Sequence, residues 1–295
     1  MNTAKATACV LGAGALWGCI SIFVRQLNAA GLSTMETVCV RMVIGAVGML
    51  IVILIVDRSL LRIRLRDIWL FIGTGIVSIT LFSFCYFTCM TVSEASIAVV
   101  LLYTSPIFVM LMSAIFFKEK VTKRKVAALV MTFIGCVLVA GLLGGSAHMT
   151  PFAPAVGIAS GFFYATYSIF GRKALERYDT LTITFYTFVM STIACLVIGN
   201  PGAVVSLAVA NPPIIGYYLG LGILCTIAPY LLYTAGLKYL ETSRAAILAT
   251  IEPVVGSLLG ILAYGESVGV QKIAGILLVL AAVVLASLKE AENDG

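Results

Sequence analysis

Long apolar runs alternate with short polar stretches along the whole chain. Each run has about 20 residues, which is the length that a helix needs to cross a bilayer. Strands span membranes only as closed barrels of alternating apolar and polar residues, so helices are the expected element. The pattern therefore predicts ten membrane-spanning helices, at residues 6–26, 34–56, 67–89, 94–117, 124–143, 152–171, 180–198, 213–236, 243–264 and 270–288.

The composition agrees with this interpretation. Of the 295 residues, 61% are hydrophobic and only 11% are charged, whereas soluble domains carry about a quarter of charged residues. The eight cysteines all fall inside predicted spans, without the spacing of a metal site, and the single histidine, His148, has no partner nearby in sequence. We expect an all-α integral membrane protein without a metal or a cofactor.

Basic residues set the predicted orientation. With the N-terminus inside, the inner connections hold almost all of the Lys and Arg residues, and the outer ones hold only Arg25 and Lys272. Positive charge favours the cytoplasmic side, so both termini are predicted to face the cytoplasm, in the plasma (inner) membrane. The net charge of +6 then reflects topology, and it gives no reason to expect a nucleic-acid partner.

The sequence also repeats itself. A shift of 147 residues aligns it without a gap across five helices, for example Ser21-Ile22-Phe23 with Ser168-Ile169-Phe170, and it pairs Tyr86 with Tyr233, Pro106 with Pro253 and Glu119 with Glu266. This predicts a first five-helix repeat at 1–147, a second at 148–288, and a short cytoplasmic tail at 289–295.

Five helices are an odd number, so the second repeat must enter the membrane from the opposite side. Inverted repeats are a recurrent architecture of secondary transporters, whose substrate site lies near the midplane where the halves meet. Because one chain holds both repeats, a monomer suffices, and a homodimer stays open as an alternative. A duplicated membrane protein with a purely structural role is the competing interpretation.

Pro106 and Pro253 lie near the middle of their spans, at corresponding positions. A proline inside a helix removes one hydrogen bond and frees the carbonyl four residues earlier, here that of Leu102 or Ala249. Paired interruptions of this kind indicate a transport site or gate. The alternative is a packing kink without a ligand.

Glu252 lies beside Pro253, about nine residues and so ~13 Å into its span, close to the midplane of a bilayer core about 30 Å thick. A carboxylate at that depth is costly and is a candidate functional group. Its counterpart is Ser105. A structural carboxylate that orients neighbouring helices is the alternative.

Further candidates share the same depth. Arg41 is the other deep charge, and it could bind a substrate carboxylate, pair with Glu36 or extend towards the outer surface. Aromatic side chains in the spans could line a cavity and receive an ammonium group. The predicted substrate-binding residues are Trp17, Arg41, Tyr86, Tyr103, Ser105, Tyr164, Tyr233 and Glu252.

Several motifs together resemble a known family. These are "GALWG" at 14–18, Arg41, "YTSP" at 103–106, "FFKEKVTKRK" at 116–125, "IEPVVG" at 251–256 and "AYGESVGVQKIAG" at 263–275. The chain resembles the drug/metabolite transporter superfamily, in particular its EamA-type transporters. The resemblance implies export, less often uptake, of amino acids or other small metabolites by alternating access, either facilitative or coupled to protons.

We therefore expect a transporter and not an enzyme, with a small-molecule substrate and the lipid bilayer as its partners. Export of amino acids or similar polar metabolites is the first hypothesis. A carrier for organic cations such as choline or cationic drugs is the second. A membrane scaffold or a membrane-embedded enzyme is the third, and the chain shows no converging nucleophile, base or metal ligands for an enzyme.

Overall fold

The computed structural model describes residues 1–142 and 150–288, and these residues form helices joined by short connections. Within these described residues, ten long helical segments follow one another. They are α1 Thr3–Ala29, α2 Thr34–Val56, α3 Leu65–Val92, α4 Ala95–Phe117, α5 Lys123–Val139, α6 Ala153–Ala174, α7 Thr180–Ile198, α8 Ile214–Leu237, α9 Thr242–Tyr264 and α10 Val270–Ser287.

Eight of these segments are long and apolar enough to cross a membrane. The other two are α5, which has 17 residues, and α6, whose 22 residues include many glycines, serines and tyrosines. The all-helical membrane fold is thus confirmed. The prediction of ten spans is supported for eight segments and stays a prediction for α5 and α6.

The connections between the segments and the end of the chain were predicted less completely than the spans. The connection between α7 and α8, which the predicted spans leave out, contains a short apolar helix, Pro201–Ala210. The predicted boundary between the repeats near residue 147, His148 and the predicted tail at 289–295 all lie outside the described residues.

Some of the long segments are interrupted in ways that matter for the site. Segment α4 divides into α4a, Ala95–Leu102, and α4b, Ser105–Phe117. Segment α9 divides into α9a, Thr242–Ala249, and α9b, Glu252–Tyr264. Segment α8 contains a π-helical turn, Ile223–Ile227.

The π-helical turn of α8 has a counterpart in α3, where residues Gly73–Leu81 are π-helical. Under the shift of 147 residues, Ile223 and Ile227 correspond to Ile76 and Thr80. A π-turn inserts one extra residue into a helix and is frequent at functional sites. The two halves therefore share their irregularities as well as their helices.

The main helix contacts join one half of the chain to the other. Segment α1 packs against α8 and α9, and their counterparts in the repeat, α6, α3 and α4, pack in the same way. Segment α2 packs along α7, and α5 packs along α10. Because these contacts have counterparts under the repeat, the two halves interlock and do not form separate domains.

Small residues allow the closest of these crossings. A Cβ added to Gly275 would lie 2.7 Å from the carbonyl oxygen of Gly135, where α10 crosses α5. Such small residues are typical of membrane helix interfaces, where close backbone approach replaces the hydrophobic effect as the source of packing energy.

Candidate functional site

Each helix break rests on a glycine from the other half of the chain. A Cβ on Gly14 of α1 would lie 2.6 Å from the carbonyl oxygen of Ala249, the last residue of α9a. A Cβ on Gly161 of α6 would lie 3.2 Å from the carbonyl oxygen of Leu102, the last residue of α4a. Gly14 and Gly161 are counterparts under the repeat, so the same contact is built twice.

The breaks form where the prolines predict them. Pro106 and Pro253 lie in the first turns of α4b and α9b, where a missing N–H is tolerated. Hydroxyl groups bond to carbonyls at the ends of the preceding helices. The Thr104 hydroxyl donates to the Leu101 carbonyl at 2.6 Å, and the Thr250 hydroxyl donates to that of Ile247 at 2.5 Å.

A cavity lies between the two breaks and the first helix of each half. The empty space between its walls, including the mouth, is about 550 Å³. Its lining combines aromatic rings, hydroxyl groups and one carboxylate. The lining residues are Trp17, Ser78, Tyr103, Ser105, Pro106, Val109, Tyr164, Tyr167, Ser168, Tyr230, Tyr233, Ala246, Ala249, Thr250 and Glu252.

Glu252 supplies the carboxylate of this cavity. It is the first residue of α9b, so it lies at the positive end of a short helix, where a negative charge is stabilised. Its side chain is partly buried, and no salt bridge among the described residues involves it. A carboxylate in this position can receive a proton or a cationic group.

Aromatic rings from both halves form one wall. The Trp17 ring lies 5.4 Å from that of Tyr230 and 5.5 Å from that of Tyr233, between ring centroids. The Tyr167 ring packs edge-on against Tyr230 at 5.1 Å. Edge and face contacts of this kind hold the rings in fixed orientations.

Two hydroxyl pairs fix the same wall. The hydroxyls of Tyr233 and Ser168 lie 2.7 Å apart, as do those of Tyr167 and Thr234. Both pairs join α6 to α8 within the second half. These hydrogen bonds help to fix the positions of the two tyrosines.

The structure brings together most of the predicted site residues. Trp17, Tyr103, Ser105, Tyr164, Tyr233 and Glu252 all line the cavity, together with Pro106. Pro253 follows Glu252 at the start of α9b but does not line it. The role of these residues in substrate binding stays a prediction.

Arg41 and Tyr86 are not among the lining residues. The Arg41 guanidinium donates to the Thr226 hydroxyl at 3.1 Å and to the Cys225 carbonyl at 3.3 Å. Both acceptors belong to the π-helical turn of α8. The Tyr86 ring stacks on Phe82, with centroids 5.7 Å apart, and Phe82 in turn contacts Tyr164.

Some lining residues were not predicted, although the sequence contains a signal for them. Thr250 is the counterpart of Tyr103, and applying the repeat to each candidate would have found it. Tyr167 lies three residues after Tyr164, so the two share one face of α6. Ser78 lies in the π-helical part of α3, whose geometry follows no hydropathy pattern.

Comparison with known proteins gives the family. The model of the EamA-like transporter family matches residues 4–141 and again residues 152–288. An uncharacterized transporter of Archaeoglobus fulgidus is 28% identical over 287 residues, which cover 95% of each chain. A pseudopaline exporter of Pseudomonas aeruginosa is 24% identical over 152 residues, or 52% of each chain.

The fold is shared with a solved structure as well. A protein crystal structure superposes with a TM-score of 0.79 over 96% of both chains, at 17% sequence identity. At that identity the likeness concerns the fold alone. The double match of the family model covers nearly the whole chain, one match to each half, and the chain belongs to the EamA-like transporter family.

Proposed function

We propose that this transporter exports amino acids or similar small polar metabolites by alternating access around the central cavity. The observation that carries the proposal is the meeting of two helix breaks, related by the repeat, at a cavity that contains Glu252 and Ser105. Broken helices at the interface of two repeats are the usual setting of a secondary-transport site.

The two half-helices offer different chemistry to a substrate. Glu252 begins α9b and would attract an ammonium group. Ser105, its counterpart, begins α4b and offers a hydroxyl together with the positive end of that helix. A zwitterion could thus place its ammonium group near Glu252 and its carboxylate near Ser105. Arg41 is the alternative carboxylate receptor, and it would have to leave Thr226 and Cys225 to act as one.

The orientation belongs to the proposal too. The distribution of Lys and Arg supports cytoplasmic termini in a plasma membrane. In that orientation Glu119 and Thr242 lie at the inner end of the molecule, and Glu266 lies at the outer end. The pseudopaline exporter among the relatives supports the outward direction.

A carrier for organic cations is the second candidate. The aromatic wall of Trp17, Tyr230 and Tyr233 beside Glu252 favours it, because aromatic faces and a carboxylate together attract quaternary ammonium groups. A cation of this kind would need no carboxylate receptor, so Ser105 and Arg41 would be dispensable for its transport.

Transport by purified protein in liposomes tests both candidates. Counterflow of radiolabelled solutes should be measured for zwitterionic amino acids, for choline and for an anionic metabolite. We expect counterflow of zwitterions by the native protein and a loss of at least about tenfold, or ~1.4 kcal/mol, in Glu252→Gln. Glu176→Gln is the matched control, because Glu176 forms an exposed ion pair with Lys173 at the surface.

The outcomes separate the hypotheses. Counterflow of choline without any zwitterion would favour the cation carrier. Equal rates and equal pH dependence in Glu252→Gln and the native protein would remove Glu252 from the mechanism. Absence of counterflow for every small solute would contradict the proposed function itself.

A further inference from the structure

Two glutamates follow identical turns at opposite ends of the molecule. Glu119 follows α4b and Glu266 follows α9b, and they are counterparts under the repeat. In both turns the preceding residue is left-handed, with φ of 55° at Lys118 and 65° at Gly265. The Glu119 N–H donates to the Ser113 carbonyl at 3.3 Å, and the Glu266 N–H donates to that of Gly260 at 3.2 Å.

The side chains of the two glutamates nevertheless have different partners. Glu119 reaches across to the other half of the chain and accepts hydrogen bonds at the start of α9a. These come from the Thr242 N–H at 2.6 Å, the Ser243 N–H at 3.1 Å and the Ser243 hydroxyl at 2.7 Å. The carboxylate thereby caps a helix N-terminus and ties α4b to α9a.

Glu266 makes no such contact with the start of α4a, where Ala95 and Ser96 are the counterparts of Thr242 and Ser243. It pairs instead with Arg25 at 2.5 Å and with Lys272 at 3.3 Å. The hydroxyl of Ser96 forms no hydrogen bond within residues 1–142 and 150–288.

The surroundings of the two glutamates show the same asymmetry. Thr242 and Ser243 are 0% and 1% exposed, whereas Ala95 is exposed and Ser96 is partly so. Helix α4b packs against α9a, but the counterpart pair, α9b and α4a, makes at most a marginal contact in the described structure. The end of the molecule that contains Glu119 is therefore closed, and the end that contains Glu266 is open.

A second pair of side chains repeats this difference. The hydroxyls of Ser168 and Tyr233 are hydrogen-bonded near the closed end. Their counterparts are Ser21 and Tyr86, and the Tyr86 ring stacks on Phe82. Segment α6 also packs against the second part of α8, while the corresponding parts of α1 and α3 make at most a marginal contact in the described structure.

We propose that Glu119 and Glu266 act as alternate latches of the transport cycle. In the structure described here the Glu119 latch is closed. In the opposite state Glu119 releases α9a, and Glu266 leaves Arg25 and Lys272 to cap α4a through the N–H groups of Ala95 and Ser96 and the Ser96 hydroxyl. This inference rests on the alternating access of the proposed function.

Both carboxylates are suited to this role because they stay charged. Burial acts to raise the pKa of Glu119, but hydrogen bonds from Ser243 and Thr242 outweigh it and hold the pKa below its usual value. The hydrogen bond from Arg25 holds the pKa of Glu266 below its usual value as well. A charged carboxylate makes stronger hydrogen bonds to a helix N-terminus than a neutral amide does.

Distances between spin labels at each end test the latches. One label pair replaces Lys120 and Lys238 at the Glu119 end, and the other replaces their exposed counterparts Ser267 and Thr91 at the Glu266 end. Labels are attached to cysteines in a chain whose native cysteines have been replaced, and the protein is studied in lipid nanodiscs. Each latch then has its own distance to report.

We expect Glu119→Gln to lengthen the first distance and shorten the second, because it weakens only the state in which the Glu119 latch is closed. Glu266→Gln should do the reverse or leave the native distances in place. Ser96→Ala adds a test without risk to folding, since this hydroxyl has no partner in the state described. Added to Glu119→Gln, it should bring the distances back towards the native ones.

Equal effects of Glu119→Gln and Glu266→Gln on both distances, or no influence of Ser96→Ala on the shift, would overturn the latch assignment. Counterflow of the same variants in proteoliposomes separates the two proposals. Opposite distance shifts without transport of any solute would leave the latches standing and remove the proposed function. Normal transport without opposite distance shifts would leave the proposed function standing and remove the latches.

Discussion

Single glycines decide how closely the two halves approach each other at the cavity. Gly14 lies under the break of α9, where an added Cβ would be 2.6 Å from the Ala249 carbonyl oxygen and 2.6 Å from the Ile251 Cγ2. Gly12 belongs to the same helix, but a Cβ there would lie at an ordinary 3.5 Å from the Leu232 side chain. Gly14 is buried and in close contact with the backbone of α9, whereas Gly12 is partly buried and meets only a side chain.

We therefore predict opposite results for two alanine substitutions in α1. Gly14→Ala should destabilise the protein by about 1–3 kcal/mol, since backbone must move to admit the methyl group. Gly12→Ala should be neutral, or stabilising by up to about 1 kcal/mol through helix propensity. Thermal unfolding of both variants in one detergent measures this, and equal midpoints would contradict the role given to Gly14.

At the scale of elements, the helix breaks place the cavity. Pro253 keeps α9 divided because it lacks the N–H that would bond to the Ala249 carbonyl four residues earlier. Glu252 owes its position at a helix start to this division. The counterpart break in α4 gives Ser105 the same position across the cavity.

Replacing Pro253 by alanine should consequently impair transport more than folding. The new N–H favours a continuous α9, which moves Thr250 and Glu252 away from the cavity. We expect a protein that still purifies as a single species but has a counterflow rate lower by about tenfold, or ~1.4 kcal/mol at the barrier. Pro212→Ala, in the exposed turn before α8, is the control. An undiminished rate in Pro253→Ala would show that the break does not depend on this proline.

The sequence predicted these elements better than it predicted some side chains. Hydropathy located eight spans within about three residues, and the paired prolines located both breaks. For Arg41 the sequence left three roles open. Its hydrogen-bond partners, Thr226 and Cys225, lie in the π-helical turn of α8, and the hydropathy pattern does not predict that turn. The helix Pro201–Ala210 was missed because its ten residues are too few to stand out as a span.

At the scale of the whole molecule, two similar halves are held in different arrangements. The repeat in the sequence predicted two halves. The contacts of α1 with α8 and of α6 with α3 show how these halves interlock. The repeat could not predict which end is closed, because it places a glutamate, Glu119 or Glu266, at the corresponding position of each end. That difference depends on partners such as Ser243 for Glu119 and Arg25 for Glu266.

The central claim is that a solute crosses the membrane through the cavity between the breaks. Ser105 lines that cavity, and Ser105→Cys in a chain without native cysteines introduces one reactive group there. Ser206→Cys, on the exposed face of Pro201–Ala210, is the control. Counterflow of the transported solute is measured in proteoliposomes before and after a bulky thiol reagent.

We predict that modification of Ser105→Cys abolishes counterflow, and that an excess of the transported solute slows the modification. The same reagent should leave the rate of Ser206→Cys unchanged. Full counterflow by completely modified Ser105→Cys would contradict the account, because the solute would then have to cross by a route outside this cavity.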